Sequence, residues 1–181
     1  IWLEIGDSNI IREFVTIRRG TEGGGGLTRI GDDNLLMAQA HVAHDCQLGN
    51  EIIMANAATL AGHVEIANRA NIGAYSGVHQ FCRIGREAFI GGYSVIVKDA
   101  LPFAVSQGNH AKCYGLNRVG MRRRGYDKET MEKLHHAYHL LLNAKLNTTQ
   151  AVERIKSEIG DCEEVRYLLD FIENSKRGVV K

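Results

Sequence analysis

The chain has 181 residues, of which 44% are hydrophobic, so it is long enough for one domain with a core and an appendage. Basic and acidic residues nearly cancel, and the net charge of +1 at pH 7 excludes the global basic field typical of nucleic-acid-binding proteins. The sequence has no run of eighteen apolar residues and no secretory leader, so a soluble, cytoplasmic protein without membrane insertion is expected.

A hexad pattern is the strongest signal in the sequence. An aliphatic residue recurs at every sixth position, which is neither the alternation of an open strand nor the 3.6-residue period of a helix. A fixed period of this kind predicts a solenoid. Small residues follow most of these positions and recur four places after them, as a narrow prism of short strands requires. The aliphatic positions are Ile30, Leu36, Val42, Leu48, Met54, Leu60, Ile66, Ile72, Val78, Ile84, Ile90 and Ile96.

Three hexads form one triangular coil, so residues 30–101 predict four coils. The coils are expected to stack at about the 4.8 Å spacing of neighbouring strands. The step is interrupted once, because the chain between Ile17 and Ile30 is longer than one hexad and its extra residues leave the coil around residues 21–28. The glycine run 23–26 in this insertion lacks the Gly-Lys-Ser/Thr ending of a P-loop, so we predict a loop that covers a neighbouring surface.

The hexad register divides the chain into three regions. A parallel β-helix is expected over residues 1–107, a connecting loop over 108–126 and a helical domain over 127–181. The sequence begins at Ile1 in mid-repeat, so further N-terminal coils are expected upstream. The register ends at Pro102, the only proline.

Three helices are predicted in the last region. Asp127 is the expected N-cap of a helix with one apolar face, and Thr148 is that of a second. Asp161 and Glu164 frame the third. A small bundle that closes the solenoid is therefore expected.

The cysteines do not indicate disulfides. Cys46 and Cys82 fall at small core positions of the repeat, where they are expected to be buried apolar residues. This usage favours a reducing cytoplasm.

Polar residues collect on one face of the predicted prism. His41, His44 and Asp45 interrupt a scaffold that otherwise prefers aliphatic and small residues. An offset of one coil, or three hexads, stacks Gly62 on His44 and His63 on Asp45, and an offset of two coils stacks Gln80 on His44. The face therefore collects His41, His44, Asp45, His63, His79 and Gln80.

This cluster has the composition of a general-base site. An adjacent carboxylate can fix the tautomer of an imidazole and stabilise the imidazolium, so His44 with Asp45 predicts a base. Gly62 leaves a backbone N–H exposed beside it, as an oxyanion site requires. The alternatives are histidines that only stabilise the fold, or a zinc site like that of the solenoid carbonic anhydrases. The coil arithmetic does not bring three imidazoles to one point, so no metal is expected.

A second group is basic and comprises Arg118, Arg122, Arg123 and Arg124. It lies between the solenoid and the bundle, and arginine forks suit phosphate oxygens. A nucleotide diphosphate and an acidic protein partner are both compatible with it. His135 and His139 have ligand spacing on a helix but are expected to face solvent.

Four stretches resemble one family: residues 41–46 (HVAHDC), 56–64 (NAATLAGHV), 78–82 (VHQFC) and 107–111 (QGNHA). It is the UDP-N-acetylglucosamine O-acyltransferase family of lipid A biosynthesis. The resemblance implies a mainly β protein, a left-handed parallel β-helix followed by a small α-helical bundle, which assembles as a homotrimer with active sites between subunits. It also implies transfer of a 3-hydroxyacyl chain from acyl carrier protein to the 3-hydroxyl of UDP-N-acetylglucosamine, with no acyl-enzyme.

The resemblance assigns roles to individual residues. His44 matches the base, Asp45 its orienting partner and Gly62 the oxyanion donor. No metal or cofactor is implied beyond the phosphopantetheine of the donor. By this resemblance, the residues that line the substrate cleft are His41, His63, His79 and Gln80. The residues expected to contact nucleotide phosphate or the carrier are Asn117, Arg123 and Arg124. The end of the acyl groove is expected at Gly92 and His110.

Other functions remain open at this point. Among hexapeptide acyltransferases, the alternatives are UDP-3-O-acylglucosamine N-acyltransferase and a CoA-dependent acetyltransferase, although the run 41–46 argues against both. A structural or metal-binding β-helix is the non-enzymatic alternative. The sequence leaves open the length of the acyl chain and whether the acceptor carries a 3-hydroxyl or a 3-amine.

Overall fold

The fold is a stack of short parallel strands followed by helices, in a computed structural model that describes residues 1–181. Most strands are very short, because each side of a hexad coil holds one inward and one outward residue before the next corner. The strands are β1 (Trp2–Ile5), β2 (Ile10–Ile11), β3 (Thr16–Ile17), β4 (Leu27–Ile30), β5 (Leu35–Leu36), β6 (His41–Val42), β7 (Gln47–Leu48), β8 (Ile53–Met54), β9 (Thr59–Leu60), β10 (Glu65–Ile66), β11 (Asn71–Ile72), β12 (Gly77–Val78), β13 (Arg83–Ile84), β14 (Phe89–Ile90), β15 (Val95–Ile96), β16 (Ala104–Gln107) and β17 (Lys112–Leu116).

These strands form the three faces of a prism. Sheet A has the order β1-β4-β7-β10-β13, sheet B has β2-β5-β8-β11-β14-β16-β17, and sheet C has β3-β6-β9-β12-β15. Ile66 pairs in parallel with Ile84, three hexads further along the chain, as the period predicts. Ile17 pairs with Val42 and Ile5 with Ile30, so the extra residues lie between β3 and β4.

The aliphatic ladder forms the core of the prism. All twelve hexad positions from Ile30 to Ile96 are buried, and Leu36, Met54 and Ile72 are fully so. Burial of each such side chain contributes about 1.5–3 kcal/mol. Small residues such as Ala58 fill the corners of the same cluster. The parallel β-helix with a helical C-terminal region is confirmed.

The segment 108–126 differs from the connecting loop that the sequence predicts. β16 continues sheet B by pairing in parallel with β14, and β17 returns antiparallel to β16. A short helix follows, capped by Asn117, whose side chain accepts a hydrogen bond from the Gly120 amide. The prediction of a loop here is wrong because the edge of sheet B offers unpaired backbone groups, which a strand of any side-chain pattern can take.

The helical region begins at Asp127, which caps its helix as predicted. The N-cap of the next helix is Asn147 rather than Thr148, and Gln150 completes a capping box with it. The last helix follows Cys162 and begins at Glu163, inside the predicted frame. The helices are α1 (Arg118–Arg123), α2 (Lys128–Leu142), α3 (Thr148–Glu158) and α4 (Glu163–Glu173).

The bundle is anchored to the end of the β-helix by buried polar contacts. Tyr138, which is 2% exposed, donates a 2.5 Å hydrogen bond to the carbonyl of Pro102. Burial raises the pKa of Tyr138, so its hydroxyl stays protonated and donates. Arg83 bonds Asp99 at 3.1 Å and the carbonyl of Phe171 at 2.6 Å. None of the helices combines the length and the apolar character that crossing a membrane requires.

All four cysteines are free, and none is in a disulfide. Cys46 and Cys82 are fully buried in the prism, as the hexad register predicts. Burial raises the pKa of each thiol to about 11, so both stay protonated near neutral pH.

Replacing Tyr138 by phenylalanine tests the anchoring of the bundle. We expect Tyr138→Phe to lower the free energy of unfolding by about 1–3 kcal/mol, because the buried Pro102 carbonyl loses its donor. Urea unfolding followed by circular dichroism measures the change. The control Tyr114→Phe alters a residue that is 71% exposed, and it should stay within about 0.5 kcal/mol of the native chain. Equal stability of the two variants would contradict the anchoring role.

Candidate active site

The polar cluster lies at the corner where the chain passes from sheet C to sheet A. His44 and Asp45 form the turn between β6 and β7. The second residue of this turn has a positive φ in coil after coil, at 62° for Asp45 and 61° for His63. Aspartate tolerates this conformation better than most side chains, so it fits the turn locally.

Successive coils stack the cluster as the offset of three hexads predicts. The His63 amide donates to the carbonyl of His44 at 3.1 Å. The ring of His63 then stacks on Phe81 in the next coil, with ring centres 4.5 Å apart. A Cβ atom added at Gly62 would lie 2.6 Å from Cε1 of His44, so the imidazole occupies the space that any larger residue would need.

Asp45 is the most constrained charge of the cluster, with an exposure of 5%. Its carboxylate accepts hydrogen bonds from Thr21 Oγ1 at 2.7 Å and from the Thr21 amide at 3.0 Å, and it contacts His44 Nδ1 at 2.8 Å. Burial alone would raise the pKa of Asp45, but the bonds from Thr21 and His44, with the nearby His63, outweigh it and hold the pKa at about 2. The carboxylate is therefore ionised at any physiological pH.

An ionised carboxylate determines the tautomer of its partner. Because Asp45 only accepts hydrogen bonds, we assign the proton of a neutral His44 to Nδ1 and the lone pair to Nε2. The His44 side chain is 45% exposed, so Nε2 can meet a ligand. His63 lies edge-on to this ring, with ring centres 5.3 Å apart.

Gly62 presents its backbone beside that imidazole. Its N–H donates to no backbone or side-chain acceptor. Amides at this position of the turn are commonly unpaired in the repeat, and Gly62 is distinguished by the His44 ring, which lies 2.6 Å from where its Cβ would be. A free donor next to a basic nitrogen is the arrangement that an oxyanion site uses.

The other predicted cleft residues lie around this corner. His41 is on the neighbouring strand, where its Nδ1 lies 2.7 Å from Thr16 Oγ1. Burial first, and then the charge of Arg18, lowers the pKa of His41. Gln80 is exposed at the same turn position two coils from His44, and His79 Nδ1 lies 3.1 Å from the Gln80 carbonyl.

The same cluster supplies donors of the kinds that bind metal ions. Ligand atoms of His44, Asp45 and His63 lie within 4.8 Å of one another. His44 Nδ1 and Asp45 Oδ2 are only 2.8 Å apart, a hydrogen-bond distance, whereas two ligands of a tetrahedral zinc at about 2.0–2.1 Å are about 3.3 Å apart. The geometry favours a hydrogen-bonded acid-base pair over a metal centre.

The arginine group is divided, because Arg118 and Arg122 line a cavity against α2, whereas Arg123 and Arg124 lie on another face of the prism. Asn117, Arg123 and Arg124 line a cavity of about 550 Å³ against sheet B, and none of the predicted cleft histidines lines it. Arg124 is already paired with Glu51 at 2.9 Å and Glu87 at 3.9 Å. Its guanidinium thus holds α1 on the β-helix.

The two predicted groove residues lie in adjoining segments, since the Val95 amide donates to the Gly108 carbonyl at 2.9 Å and the Ala111 amide donates to the Val95 carbonyl at 2.9 Å. Gly92 is at a corner between sheets B and C, where an added Cβ would lie 3.3 Å from the carbonyl oxygen of Ala74. His110 is exposed in the turn between β16 and β17. Within one chain, neither joins the His44 corner.

Comparison with known proteins identifies the family of this chain. Residues 99–180 match the family model of UDP N-acetylglucosamine O-acyltransferase, domain 2. The acyl-[acyl-carrier-protein]--UDP-N-acetylglucosamine O-acyltransferase of Alkalilimnicola ehrlichii is 47% identical over 99% of this chain and 69% of its own length. The chain belongs to the UDP-N-acetylglucosamine O-acyltransferase family. It is therefore an acyltransferase.

Solved structures of this acyltransferase family have the same fold. LpxA from Acinetobacter baumannii is 45% identical, with a TM-score of 0.96 over 99% of this chain and 70% of that one. The UDP-N-acetylglucosamine O-acyltransferase of Moraxella catarrhalis is 45% identical, with a TM-score of 0.94 over the same shares. The resemblance inferred from the sequence is confirmed.

Sequence reasoning about this acyltransferase missed two threonines of the insertion. Thr21 donates to the Asp45 carboxylate, and Thr28 Oγ1 accepts from the Asp45 amide at 2.7 Å. One signal was available, because the longer offset of the first coil stacks Gly20 on Asp45 and the insertion begins directly after it. The sequence contains no comparable signal for the path that the inserted residues take.

The close packing of His44 on Gly62 predicts that a methyl group added at position 62 displaces the imidazole. We expect Gly62→Ala to move the imidazole and to break its 2.8 Å contact with Asp45, because the added Cβ would lie 2.6 Å from the ring. Crystal structures of the variants measure the displacement. Gly77→Ala is the control, since a Cβ there meets nothing within 4 Å. An unmoved imidazole in Gly62→Ala would contradict the fit.

Proposed function

We propose that this enzyme transfers a 3-hydroxyacyl chain from acyl carrier protein to the glucosamine 3-hydroxyl of UDP-N-acetylglucosamine, the first step of lipid A biosynthesis, with His44 as general base. The curated relatives carry the name of this reaction and match nearly the whole chain. The observation that carries the catalytic assignment is the His44 ring, which is held by a buried carboxylate on one side and packs on the other against Gly62, whose amide donates to no acceptor in the chain.

The proposed reaction is direct attack on the thioester. Nε2 of His44 accepts the proton of the sugar hydroxyl as its oxygen attacks the acyl carbonyl. The C–O bond forms, the C–S bond breaks, and the imidazolium returns the proton to the departing sulfur. Asp45 stabilises the imidazolium and stays ionised, because its pKa of about 2 lies far below the working pH.

The Gly62 amide is the proposed donor to the oxyanion that forms on the thioester carbonyl. A preorganised donor of this kind is worth about 10²–10³ in turnover in other enzymes. The missing Cβ of Gly62 leaves room for the His44 ring itself, whose Cε1 would lie 2.6 Å from that atom.

An acyl-enzyme intermediate is not needed, and the nearby thiol does not suit one. Cys46 follows Asp45 but is fully buried, and its S–H points to the carbonyl of Ala61 at 3.2 Å. Its pKa is raised to about 11 by burial, so it carries no nucleophilic thiolate at neutral pH. Transfer without a covalent intermediate agrees with this environment.

The proposed assembly is a homotrimer in which neighbouring subunits share each active site. Two predicted groups of site residues lie on different faces of one chain, which supports a site completed by a second copy. In this proposal His41, His63, His79 and Gln80 line the sugar side of the cleft. The neighbouring subunit supplies Asn117, Arg123 and Arg124 for the nucleotide or the acidic carrier.

The remaining assignments follow from the proposed reaction. Gly92 and His110 would close the acyl groove, and a glycine there leaves room for a long chain. The acyl donor arrives on the phosphopantetheine of its carrier, so no further cofactor or metal takes part. A cytoplasmic location suits both substrates.

The base assignment predicts a large loss of turnover on truncation of the imidazole. We expect His44→Ala to reduce acyl transfer from 3-hydroxyacyl carrier protein by about 10²–10⁴-fold. Asp45→Asn should reduce it by about 10–100-fold, because the partner of the imidazole is lost. The control His136→Ala alters an exposed imidazole paired with Glu158 in the bundle and should keep native turnover.

Full activity of His44→Ala beside an active native chain would overturn the general-base role. The same assay with a 3-amino acceptor decides between O-acyl and N-acyl transfer. An inactive native chain that binds stoichiometric zinc would favour the metal-binding alternative.

A shared site predicts complementation between two defective subunits. We expect His44→Ala and Arg123→Ala chains, each nearly inactive alone, to recover about a quarter of native activity when coexpressed, because random trimers then contain some interfaces with both native residues. Trimers purified separately and mixed without exchange are the control. Mixed trimers that remain inactive would show that the two residues do not act at one interface.

A further inference from the structure

The insertion at residues 21–28 leaves the coil and packs against Asp45. The Thr21 amide lies 3.0 Å from Oδ1 and 3.2 Å from Oδ2 of Asp45, and the Thr21 hydroxyl donates to Oδ2 at 2.7 Å. Thr28 accepts the amide hydrogen of Asp45 at 2.7 Å. Both ends of the insertion therefore contact the same residue of the active site.

The insertion is itself rigidly built around Thr21. Its carbonyl accepts hydrogen bonds from the amides of Gly24 at 3.1 Å and Gly26 at 3.0 Å, which close a 3₁₀ turn over Glu22–Gly24. A Cβ added at Gly24 would lie 2.1 Å from Asp45 Oδ2. A glycine is required there because the loop backbone packs directly on the carboxylate.

Thr21 and His44 bond the same carboxylate oxygen. Oδ2 of Asp45 takes the Thr21 hydroxyl at 2.7 Å and His44 Nδ1 at 2.8 Å, so the hydroxyl fixes the lone pair that orients the imidazole. No hexad residue has this role, since Thr21 reaches Asp45 only because the coil is interrupted. Without the hydroxyl, the carboxylate would be held on its outer side by the Thr21 amide alone.

We propose that Thr21 is a positioning residue, which acts through Asp45 to hold His44 in the tautomer and orientation that the reaction uses. The proposal rests on the proposed function in that it takes His44 as the base. In this proposal the insertion is part of the active site, because it holds the acid-base pair of Asp45 and His44 in place before substrate binds.

The charges around the pair determine the expected pH effect. His44 and His63 face Asp45, Cys46 lies beside it in the core, and the open side of His44 shares a cavity with Arg18, Arg19 and Glu22. The hydrogen bonds from Thr21 act to lower the pKa of Asp45. Loss of the hydroxyl leaves a more basic carboxylate, which stabilises the imidazolium more strongly, so the acidic limb of the pH-rate profile should move to higher pH.

The test compares Thr21→Val, which keeps the shape and the amide but lacks the hydroxyl, with Thr21→Ser, which keeps both the hydroxyl and the amide. We expect Thr21→Val to lower kcat about tenfold, with KM within about twofold of native and the acidic limb moved to higher pH. Thr21→Ser should restore the native profile. Thr149→Val, an exposed position on α3, is the matched control and should change nothing.

Nitrogen NMR of the His44 ring gives a second readout that needs no turnover. The native chain and Thr21→Ser should hold the neutral ring with its proton on Nδ1, and Thr21→Val should show both tautomers in exchange. Should Thr21→Val not fold, as judged by thermal melting, Thr21→Ala carries the same comparison.

Two failures can be told apart. If the native chain shows no acyl transfer, the proposed reaction is refuted. The positioning role of Thr21 is then tested by the tautomer of His44 alone. A Thr21→Val variant with native kcat, native pH profile and a single tautomer overturns the positioning role, whatever the reaction.

Discussion

The fixed offset of three hexads between stacked strands is the constraint on which this molecule depends. Parallel backbone ladders and an inward aliphatic residue on each side hold every coil to the same length, since one added or lost residue would turn the core side chains outward. Residues at the same place in successive coils therefore become neighbours. A site can be assembled from residues far apart in sequence with no further folding requirement.

At one corner this constraint brings together an imidazole, a carboxylate and a glycine. Asp45 occupies a turn position that takes many kinds of side chain in other coils, and burial makes its charge dependent on its hydrogen bonds. Thr21 and His44 supply them, so the carboxylate stays ionised and the imidazole keeps one tautomer. The chemistry of the corner then follows from the scaffold, and the exposed Nε2 is the part of the pair left for a ligand to meet.

The hexad period predicts the contacts between residues that repeat from coil to coil, but it predicts few contacts of the residues outside the repeat. The stacking of His44 on Gly62 follows from counting, and so does the burial of Cys46. The contact of Thr21 with Asp45 does not, because the insertion breaks the count and its path is set by backbone hydrogen bonds. β17 pairs through its backbone with an open edge, which side-chain patterns do not encode. The ion pairs of Arg124 with Glu51 and Glu87 on sheet B are likewise contacts that the hexad count does not predict.

Titration of the Asp45 carboxyl, followed by carbon NMR with Asp45→Asn to assign the signal, measures whether the active-site pair is held by its hydrogen bonds. We expect a pKa of about 2, because hydrogen bonds from Thr21 and His44 outweigh the effect of burial. A titration near the ordinary aspartate value of about 3.9 would show that these bonds do not form as described. The preorganised pair of His44 and Asp45 would then be contradicted, together with the base assignment that depends on it.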